Sequence, residues 1–238
     1  MKRIVDERVS TGVPGLDVLM NGGIPKGHAI LYLGPPGAGK TTFGLAFIWD
    51  GLRKGERCVT ITLEEDKDAL MKTAAQFGWD FGTALRNRQL AVIKMDPTDL
   101  KGTTKLLRAE FPRILKLFGA SRVLVDPLSV FELLFLDYAE KRQRIFELCD
   151  LVKRAGATAV YTAEANPMNP SQTRDGIIEY AVDGFVVLRY IEPKHGTGLK
   201  YVIRVTKLRR TDHSKDLCEY EITSRGPVVY PHRRVELG

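Results

Sequence analysis

The sequence predicts an α/β protein with a mostly parallel central sheet, helices on both faces and an antiparallel extension at one edge. Up to about residue 183, short apolar runs alternate with helix-compatible stretches long enough for crossover connections. After that point, apolar runs are separated only by turn residues. Parallel strands need a crossover, whereas antiparallel neighbours need only a turn, so the two parts predict two kinds of pairing. We expect one domain over residues 1–238.

The alternating part contains five apolar runs that we predict to be strands: 27–33, Cys58–Leu63, Leu90–Ile93, Arg122–Val125 and Thr158–Tyr161. Between them lie four stretches that we predict to be helices: Thr41–Arg53, Asp66–Phe77, Thr103–Phe118 and Tyr138–Ala155. Right-handed crossovers would place these helices on the two faces of the sheet.

The later part contains four apolar runs that we predict to form a β-meander: Phe185–Tyr190, Tyr201–Val205, Cys218–Ile222 and Val228–Tyr230. The segment Pro193–Gly198 reads as a hairpin loop between the first two. We expect the antiparallel strands to extend one edge of the parallel core.

Composition excludes several classes of protein. No apolar run of the 238 residues approaches the ~20 needed to span a bilayer, so we expect no membrane insertion. The first residues lack the apolar stretch of a secretory signal, so we expect a cytoplasmic protein. Cys58, Cys149 and Cys218 are odd in number and far apart, which argues against a disulfide framework or a zinc site and predicts small buried residues.

A glycine-rich segment follows the first predicted strand and precedes a predicted helix. It matches G-x-x-x-x-G-K-[ST] in full, and the strand–loop–helix context is the one that this phosphate-binding motif requires. Its backbone N–H groups can converge on phosphate oxygens at the positive end of the helix dipole, and Lys40 adds a cation. We therefore predict a nucleoside triphosphate site, most simply for ATP with Mg²⁺, formed by Gly34, Pro35, Pro36, Gly37, Ala38, Gly39, Lys40, Thr41 and Thr42.

Acidic residues follow two other predicted strands. Asp126 ends the run Val123–Val125 and, with the Thr41 hydroxyl, could hold Mg²⁺. Glu64 and Glu65 follow the strand that ends at Leu63, where they could orient or deprotonate an attacking water. Each has a structural alternative: Asp126 could cap a turn, and the two glutamates could favour the dipole of the next helix.

Several segments together resemble the KaiC-like group of RecA-superfamily ATPases, which implies a RecA-like P-loop fold. The resemblance covers about residues 10–231. Its first motif is 10–27, ahead of the phosphate loop, and Leu63-Glu64-Glu65 resembles the family's paired catalytic glutamates. Further on, 76–80 resembles a helix-ending motif, and 207–213 resembles the K-x-R-x-T-x-H pattern.

The resemblance implies an active site shared between subunits of a ring, usually a hexamer. Lys207 and Arg209 would reach the nucleotide of the neighbouring subunit and neutralise charge on its γ-phosphoryl group. Leu208 lies between them, and Glu64 would be the base. Other residues that match positions near the nucleotide are Thr211, His213, Thr223 and Ser224, and more approximately Thr162 and Glu164. We place adenine beside Gln76 and the turn at Thr223–Pro227.

The chain also departs from KaiC proper. It has one such domain where KaiC has two in tandem. Glu179 and Tyr180 stand where KaiC has its phosphorylated Ser-Thr pair, so autophosphorylation of that kind is not expected.

Three functions stay open on the sequence alone. The first is Mg²⁺-dependent ATP hydrolysis in a homo-oligomeric ring. The second is a nucleotide-dependent switch that alternates between ATP and ADP states with little turnover. The third is a RecA/RadA-type DNA-binding ATPase, in which Ala165–Arg174 would be a mobile loop facing DNA. That segment carries one basic residue, and the net charge of +7 is spread along the chain, so nucleic acid is a weakly supported partner.

Overall fold

The computed structural model describes residues 7–96, 110–192 and 198–236. Its elements follow the chain in this order: β1 (Arg8–Val9), α1 (Leu16–Leu19), β2 (Ile24–Pro25), β3 (Ala29–Gly34), α2 (Lys40–Arg53), β4 (Cys58–Thr62), α3 (Lys67–Gln76), α4 (Phe81–Arg86), β5 (Leu90–Lys94), α5 (Phe111–Phe118), β6 (Arg122–Asp126), α6 (Leu128–Glu132), α7 (Tyr138–Arg154), β7 (Thr158–Asn166), β8 (Asn169–Thr173), α8 (Ile178–Ala181), β9 (Gly184–Ile191), β10 (Lys200–Leu208), β11 (Cys218–Thr223) and β12 (Gly226–Arg234).

The main sheet has the strand order β12-β11-β10-β9-β3-β7-β6-β4-β5, and β8 pairs with β7 outside this path. From β9 to β5 all neighbours are parallel, whereas β9 to β12 form an antiparallel meander. The predicted fold class is thus confirmed. The two central strands β3 and β7 are buried over most of their length, as expected for a parallel sheet covered on both faces.

Helices cover both faces of this sheet because the side chains of each strand alternate in direction. On one face, Ile30, Tyr32 and Leu124 pack with α1, α2, α3, α4 and the meander. On the other face, Leu31 and Val125 pack with α5, α6, α7 and α8. Within the described ranges, no helix is long and apolar enough to cross a bilayer. The three cysteines are free and buried, as predicted.

The structure differs from the sequence-based expectations in three respects. The run 185–190 is predicted as a strand of the antiparallel extension at the edge of the core, but β9 is parallel to β3 and antiparallel to β10, so it belongs to both parts of the sheet. The expected loop at 165–174 is a hairpin of β7 and β8, whose antiparallel register starts at Ala165↔Thr173. The short β1–β2 pair and helices α4, α6 and α8 were not predicted. Residues 103–109 of one predicted helix and most of the loop predicted at 193–198 lie outside the described residues.

Candidate functional site

The phosphate loop connects the end of β3 to the start of α2. Gly37 and Gly39 have φ values of 79° and 80°, a left-handed conformation that glycine adopts without steric cost. A Cβ at Gly34 would lie 2.6 Å from the Leu188 carbonyl oxygen, so this position also needs glycine. Lys40 donates to the Pro35 carbonyl oxygen at 3.0 Å and so folds back over the loop. The residues between Gly34 and Thr42 therefore have the backbone that a phosphate cradle requires.

Tyr220 of β11 contacts both the phosphate loop and the helix α2 that follows it. Its hydroxyl donates to the Ala38 carbonyl oxygen at 2.7 Å, and its ring packs edge-on against Phe43 of α2. Two residues further along β11, Ile222 lies against Gly39 of the loop. The strand then ends at Thr223, where the turn with Ser224 begins. The turn is closed by the Thr223 hydroxyl, which donates to the Gly226 carbonyl oxygen at 2.9 Å. Thus Thr223 and Ser224 lie on the same side of the molecule as the chain's own phosphate loop.

The end of α3 lies beside that turn. The ring of Trp79 contacts Gly226, whose lack of a Cβ leaves room for it, and it stacks against Phe77 at 4.8 Å between centroids. Gln76, the last residue of α3, is exposed at this point. The motif 76–80 therefore lies next to the turn 223–227, and both lie beside the phosphate loop.

Asp126 is buried at the end of β6 and faces the start of α2. The hydroxyl of Thr41 donates to its Oδ1 atom at 3.2 Å, and the hydroxyl of Thr162 on β7 donates to the same atom. Burial raises the pKa of Asp126, while the hydrogen bonds from Thr162 and Thr41 oppose this shift. A carboxylate and a hydroxyl at this position form an all-oxygen donor set, which suits Mg²⁺.

Glu64 and Glu65 lie at the same end of the sheet. Strand β4 pairs with β6 so that Thr62 is opposite Asp126, and the two glutamates follow directly. Glu64 is exposed; burial and then the charges of Glu164 and Asp126 raise its pKa. Burial and the charge of Asp126 also raise the pKa of Glu65, whose Oε2 atom is buried without a hydrogen bond among the described residues. The N-cap of α3 is Asp66, which accepts from the Ala69 N–H at 2.8 Å, so Glu64 and Glu65 lie just before the helix and do not cap it.

Lys40 lies at the centre of this acidic group. Burial lowers its pKa, while the carboxylates of Glu164, Asp126 and Glu64 oppose that shift. Glu164 is opposite Gly34 in the β3–β7 register, which places it beside the phosphate loop. The structure therefore brings together Lys40 and carboxylates from three strands, one just after β4, one at the end of β6 and one near the end of β7. They lie at the end of the sheet where open α/β proteins bind ligands.

Lys207 and Arg209 lie at the opposite end of the sheet from their own phosphate loop. The Arg209 N–H donates to the Asp183 carbonyl oxygen at 2.8 Å, and the Asp183 N–H donates to the Ala29 carbonyl oxygen at 2.9 Å. Ala29 starts β3 and Gly34 ends it, so about 16 Å of strand separates Arg209 from the loop. This exceeds the length of an arginine side chain, and the two cations cannot join the phosphate site of their own chain.

Lys207 and Arg209 are held by carbonyl groups at the end of α8. Lys207 donates to the carbonyl oxygens of Glu179 at 2.7 Å and Val182 at 2.9 Å, and Arg209 donates to that of Tyr180 at 3.2 Å. Burial, and then the charge of Arg209, lower the pKa of Lys207. Both side chains line a surface cavity of about 490 Å³ that faces outward from the chain.

The remaining residues of the K-x-R-x-T-x-H segment are close by. Leu208 is buried and pairs with Gly184, whereas Thr211 and His213 follow β10 in a turn. The Nδ1 atom of His213 lies 3.4 Å from the Thr211 carbonyl oxygen. Sequence reasoning did not find Tyr220, because its role depends on a contact between residues 182 positions apart.

A family model described as "ATPase: KaiC" matches residues 9–234. The chain belongs to the KaiC family of ATPases. Its relatives include the circadian clock protein KaiC3 of Synechocystis, at 31% identity over 97% of this chain and 47% of that protein. A UPF0273 protein of Pyrococcus horikoshii is also 31% identical, over 97% of both chains, and one from Methanopyrus kandleri is 33% identical over 95% and 93%.

A solved structure agrees with this assignment. A KaiC-like protein of Pyrococcus horikoshii superposes with a TM-score of 0.81 at 32% identity, covering 95% of this chain and all of that one. The KaiC-type chain spans about half of KaiC3 and almost the full length of the UPF0273 relatives. These similarities confirm a RecA-type P-loop ATPase fold with an ATP-binding site, and the roles of individual residues stay predictions.

Proposed function

We propose that this KaiC-type chain is a Mg²⁺-dependent ATPase whose active sites are completed between subunits of a ring, most simply a hexamer. The observation that carries the proposal is the convergence of Lys40, Asp126 and Glu64 beside the phosphate loop. Family membership supports ATP as the nucleotide. Buried free thiols suit a reducing compartment such as the cytoplasm, and a single domain over residues 1–238 fits the continuous sheet.

In the proposed reaction, the loop N–H groups and Lys40 hold the β- and γ-phosphates. Thr41 and Asp126 would hold Mg²⁺, which when bound neutralises phosphate charge. Glu64 orients a water molecule and accepts its proton while the water oxygen bonds to the γ-phosphorus and the bond to the β-phosphate oxygen breaks. A carboxylate of raised pKa is a better base for this step than an ordinary one, and Glu65 is placed to help orient the water. Gln76, Thr223 and Ser224 would border the adenine.

Lys207 and Arg209 supply further positive charge to the phosphate site of the neighbouring subunit and not to that of their own chain. Their distance from their own loop and their position in an outward-facing cavity support this arrangement. Arginine delivered by a neighbour stabilises charge on the γ-phosphoryl group in the transition state. Leu208, Thr211 and His213 would contact the same nucleotide from the turn after β10.

The catalytic assignment is tested by phosphate release from saturating MgATP. Glu64→Gln combined with Glu65→Gln should lower kcat by at least about a hundredfold, because the general base contributes 10²–10⁴-fold. Asp68→Asn, which removes one carboxylate charge from the exposed first turn of α3, is the control and should retain turnover. Turnover unchanged in the double variant would refute the assignment.

The assignment between subunits needs a second measurement. Size determination with ATP, ADP and no nucleotide should show a ring in ATP, and Arg209→Ala should lower kcat while leaving ADP binding intact. Arg204→Ala, at an exposed position of β10, the strand that precedes Arg209, is the control. A monomer under all conditions, or turnover insensitive to Arg209→Ala, would refute a shared site. A ring that exchanges partners between ATP and ADP while hydrolysing very slowly would instead identify a switch.

A further inference from the structure

The β7–β8 hairpin is tied to α8 by one buried side chain. The Glu179 carboxylate accepts two hydrogen bonds from Thr173, the last residue of β8: one from its backbone N–H, and one from its hydroxyl at 2.8 Å. Thr173 is fully buried and Glu179 is only 9% exposed. Charge-assisted hydrogen bonds in a buried setting are strong, so this pair holds the two elements in one geometry.

Helix α8 depends on such a contact. It has four residues, and no side chain caps its N-terminus. One helical turn has almost no stability of its own in water. Yet the carbonyl oxygens of Glu179, Tyr180 and Val182 are the groups that hold Lys207 and Arg209. The position of both cations is therefore set by how α8 is anchored.

An irregularity in β10 also makes the direction of the Lys207 side chain depend on α8. The register of β10 with β9 shifts between Val205 and Lys207, so Lys207 leaves the regular alternation of the strand. Such an irregularity redirects a side chain. Two of the three N–H groups of Lys207 are used by α8, which leaves one for an external acceptor, and Arg209 is 46% exposed.

The β7–β8 hairpin extends from the chain's own phosphate loop to the cavity that contains Lys207 and Arg209. At its start, Thr162 donates to Asp126 and the Glu164 N–H donates to the Ser129 hydroxyl at 3.3 Å, both beside the chain's own phosphate loop. At its other end, Asn169, Ser171 and Gln172 line the cavity that contains Lys207 and Arg209. Glu179 is thus the connection between the hairpin and the two cations.

We propose that Glu179 is a positioning residue: through Thr173 it anchors α8 and thereby directs Lys207 and Arg209 at the nucleotide of the neighbouring subunit. The inference depends on the proposed function, in which these cations act between subunits. Glu179 itself takes no part in the chemical step. Its carboxylate is occupied by Thr173, and its backbone oxygen by Lys207.

A pair of substitutions separates geometry from charge. Glu179→Ala removes both bonds to Thr173, whereas Glu179→Gln can keep them, because its Oε1 accepts from the Thr173 N–H and its Nε2 donates to the Thr173 hydroxyl oxygen. Glu179→Ala should lower kcat by about ten- to a hundredfold, the effect of a displacement near 1 Å, with KM for ATP unchanged. Glu179→Gln should stay close to the wild type, and Thr173→Val, which loses one bond, should lie between them.

Mixed rings show where Glu179 acts. Co-expression of Glu179→Ala with the Glu64→Gln, Glu65→Gln double variant should restore turnover, because the double variant supplies well-placed cations to the intact phosphate site of its neighbour. Mixing Arg209→Ala with the same double variant is the reference. Thermal unfolding and ADP binding of each variant verify that it is folded.

The remaining outcomes all contradict the inference. Unchanged kcat in Glu179→Ala, or equal loss in Glu179→Gln, would refute a geometric role. If mixing rescues Arg209→Ala but not Glu179→Ala, Glu179 acts within its own site. If mixing fails for Arg209→Ala as well, the shared site of the proposed function is itself wrong.

Discussion

At the scale of single residues, Glu132 is a buried carboxyl group with an unusual environment. It lies at the end of α6, is 2% exposed, and its Oε1 atom has no hydrogen-bond partner among the described residues. Asp175 and Glu179 face it as like charges, and Lys141 and Arg174 as opposite charges. Burial, with Asp175 next in effect, raises the pKa of Glu132 to about 7.

This shift predicts a pH-dependent stability. Between the pKa of the unfolded chain, near 4.3, and the folded value, the folded state binds more protons, so the free energy of unfolding falls as pH rises. Above pH 7 the full cost remains, on the order of 3 to 4 kcal/mol. Glu132→Gln should therefore raise Tm at pH 8 and change it little at pH 4.5. Glu110→Gln, at an exposed site, is the control; an equal gain at both pH values would contradict the buried-carboxylate explanation.

At the scale of elements, the meander contacts the phosphate loop as well as forming the edge of the sheet. The hydroxyl of Tyr220 on β11 donates to the Ala38 carbonyl oxygen and so holds the loop whose N–H groups we propose to bind the phosphates. Tyr220→Phe removes one oxygen atom from a buried position and leaves that carbonyl without its donor.

We expect Tyr220→Phe to weaken ADP binding several-fold and to cost about 1 to 2 kcal/mol of stability, the usual effect of an unpaired buried group. Calorimetric titration and urea unfolding measure the two quantities. Tyr230→Phe is a matched control on β12, since its hydroxyl donates to Glu221 near the surface at 2.9 Å. Equal effects of the two substitutions would show that Tyr220 does not support the loop specifically.

Elements also differ in how far the sequence predicts them. The phosphate loop and strands such as β3 and β6 follow from local motifs and apolar runs, and the structure has them where predicted. The hairpin strand β8 was missed because Asn169–Thr173 is polar and contains Pro170, a composition typical of loops but tolerated at an edge. The parallel direction of β9 was missed because it depends on the crossover through β8 and α8. The contact of Tyr220 with Ala38 joins residues 182 positions apart, and that of Lys207 with the Glu179 carbonyl oxygen spans 28 positions, so no local pattern encodes either pairing.

At the scale of the whole molecule, the end of the sheet away from the phosphate loop carries a buried ion network. Arg122 of β6 is 1% exposed and forms ion pairs with Glu56 at 2.8 Å and Asp50 at 3.0 Å. It also donates to the carbonyl oxygens of Ser10 and Phe47, both at 2.9 Å, and its guanidinium lies over the Phe47 ring. One side chain thus joins the N-terminal segment, α2, the start of β4 and the central sheet.

Because this network is remote from Lys40, stability and nucleotide binding should be separable. Arg122→Met leaves Asp50 and Glu56 without their buried partner and should cost about 3 to 5 kcal/mol of unfolding free energy. The dissociation constant for ADP should stay within about twofold of the wild type at a temperature where the variant is folded, because binding depends on the loop and not on this end of the sheet. Arg154→Met, which removes a 79% exposed arginine paired with Asp150, should change neither quantity appreciably. A fall in ADP affinity that parallels the loss of stability would mean that the two ends of the sheet are coupled.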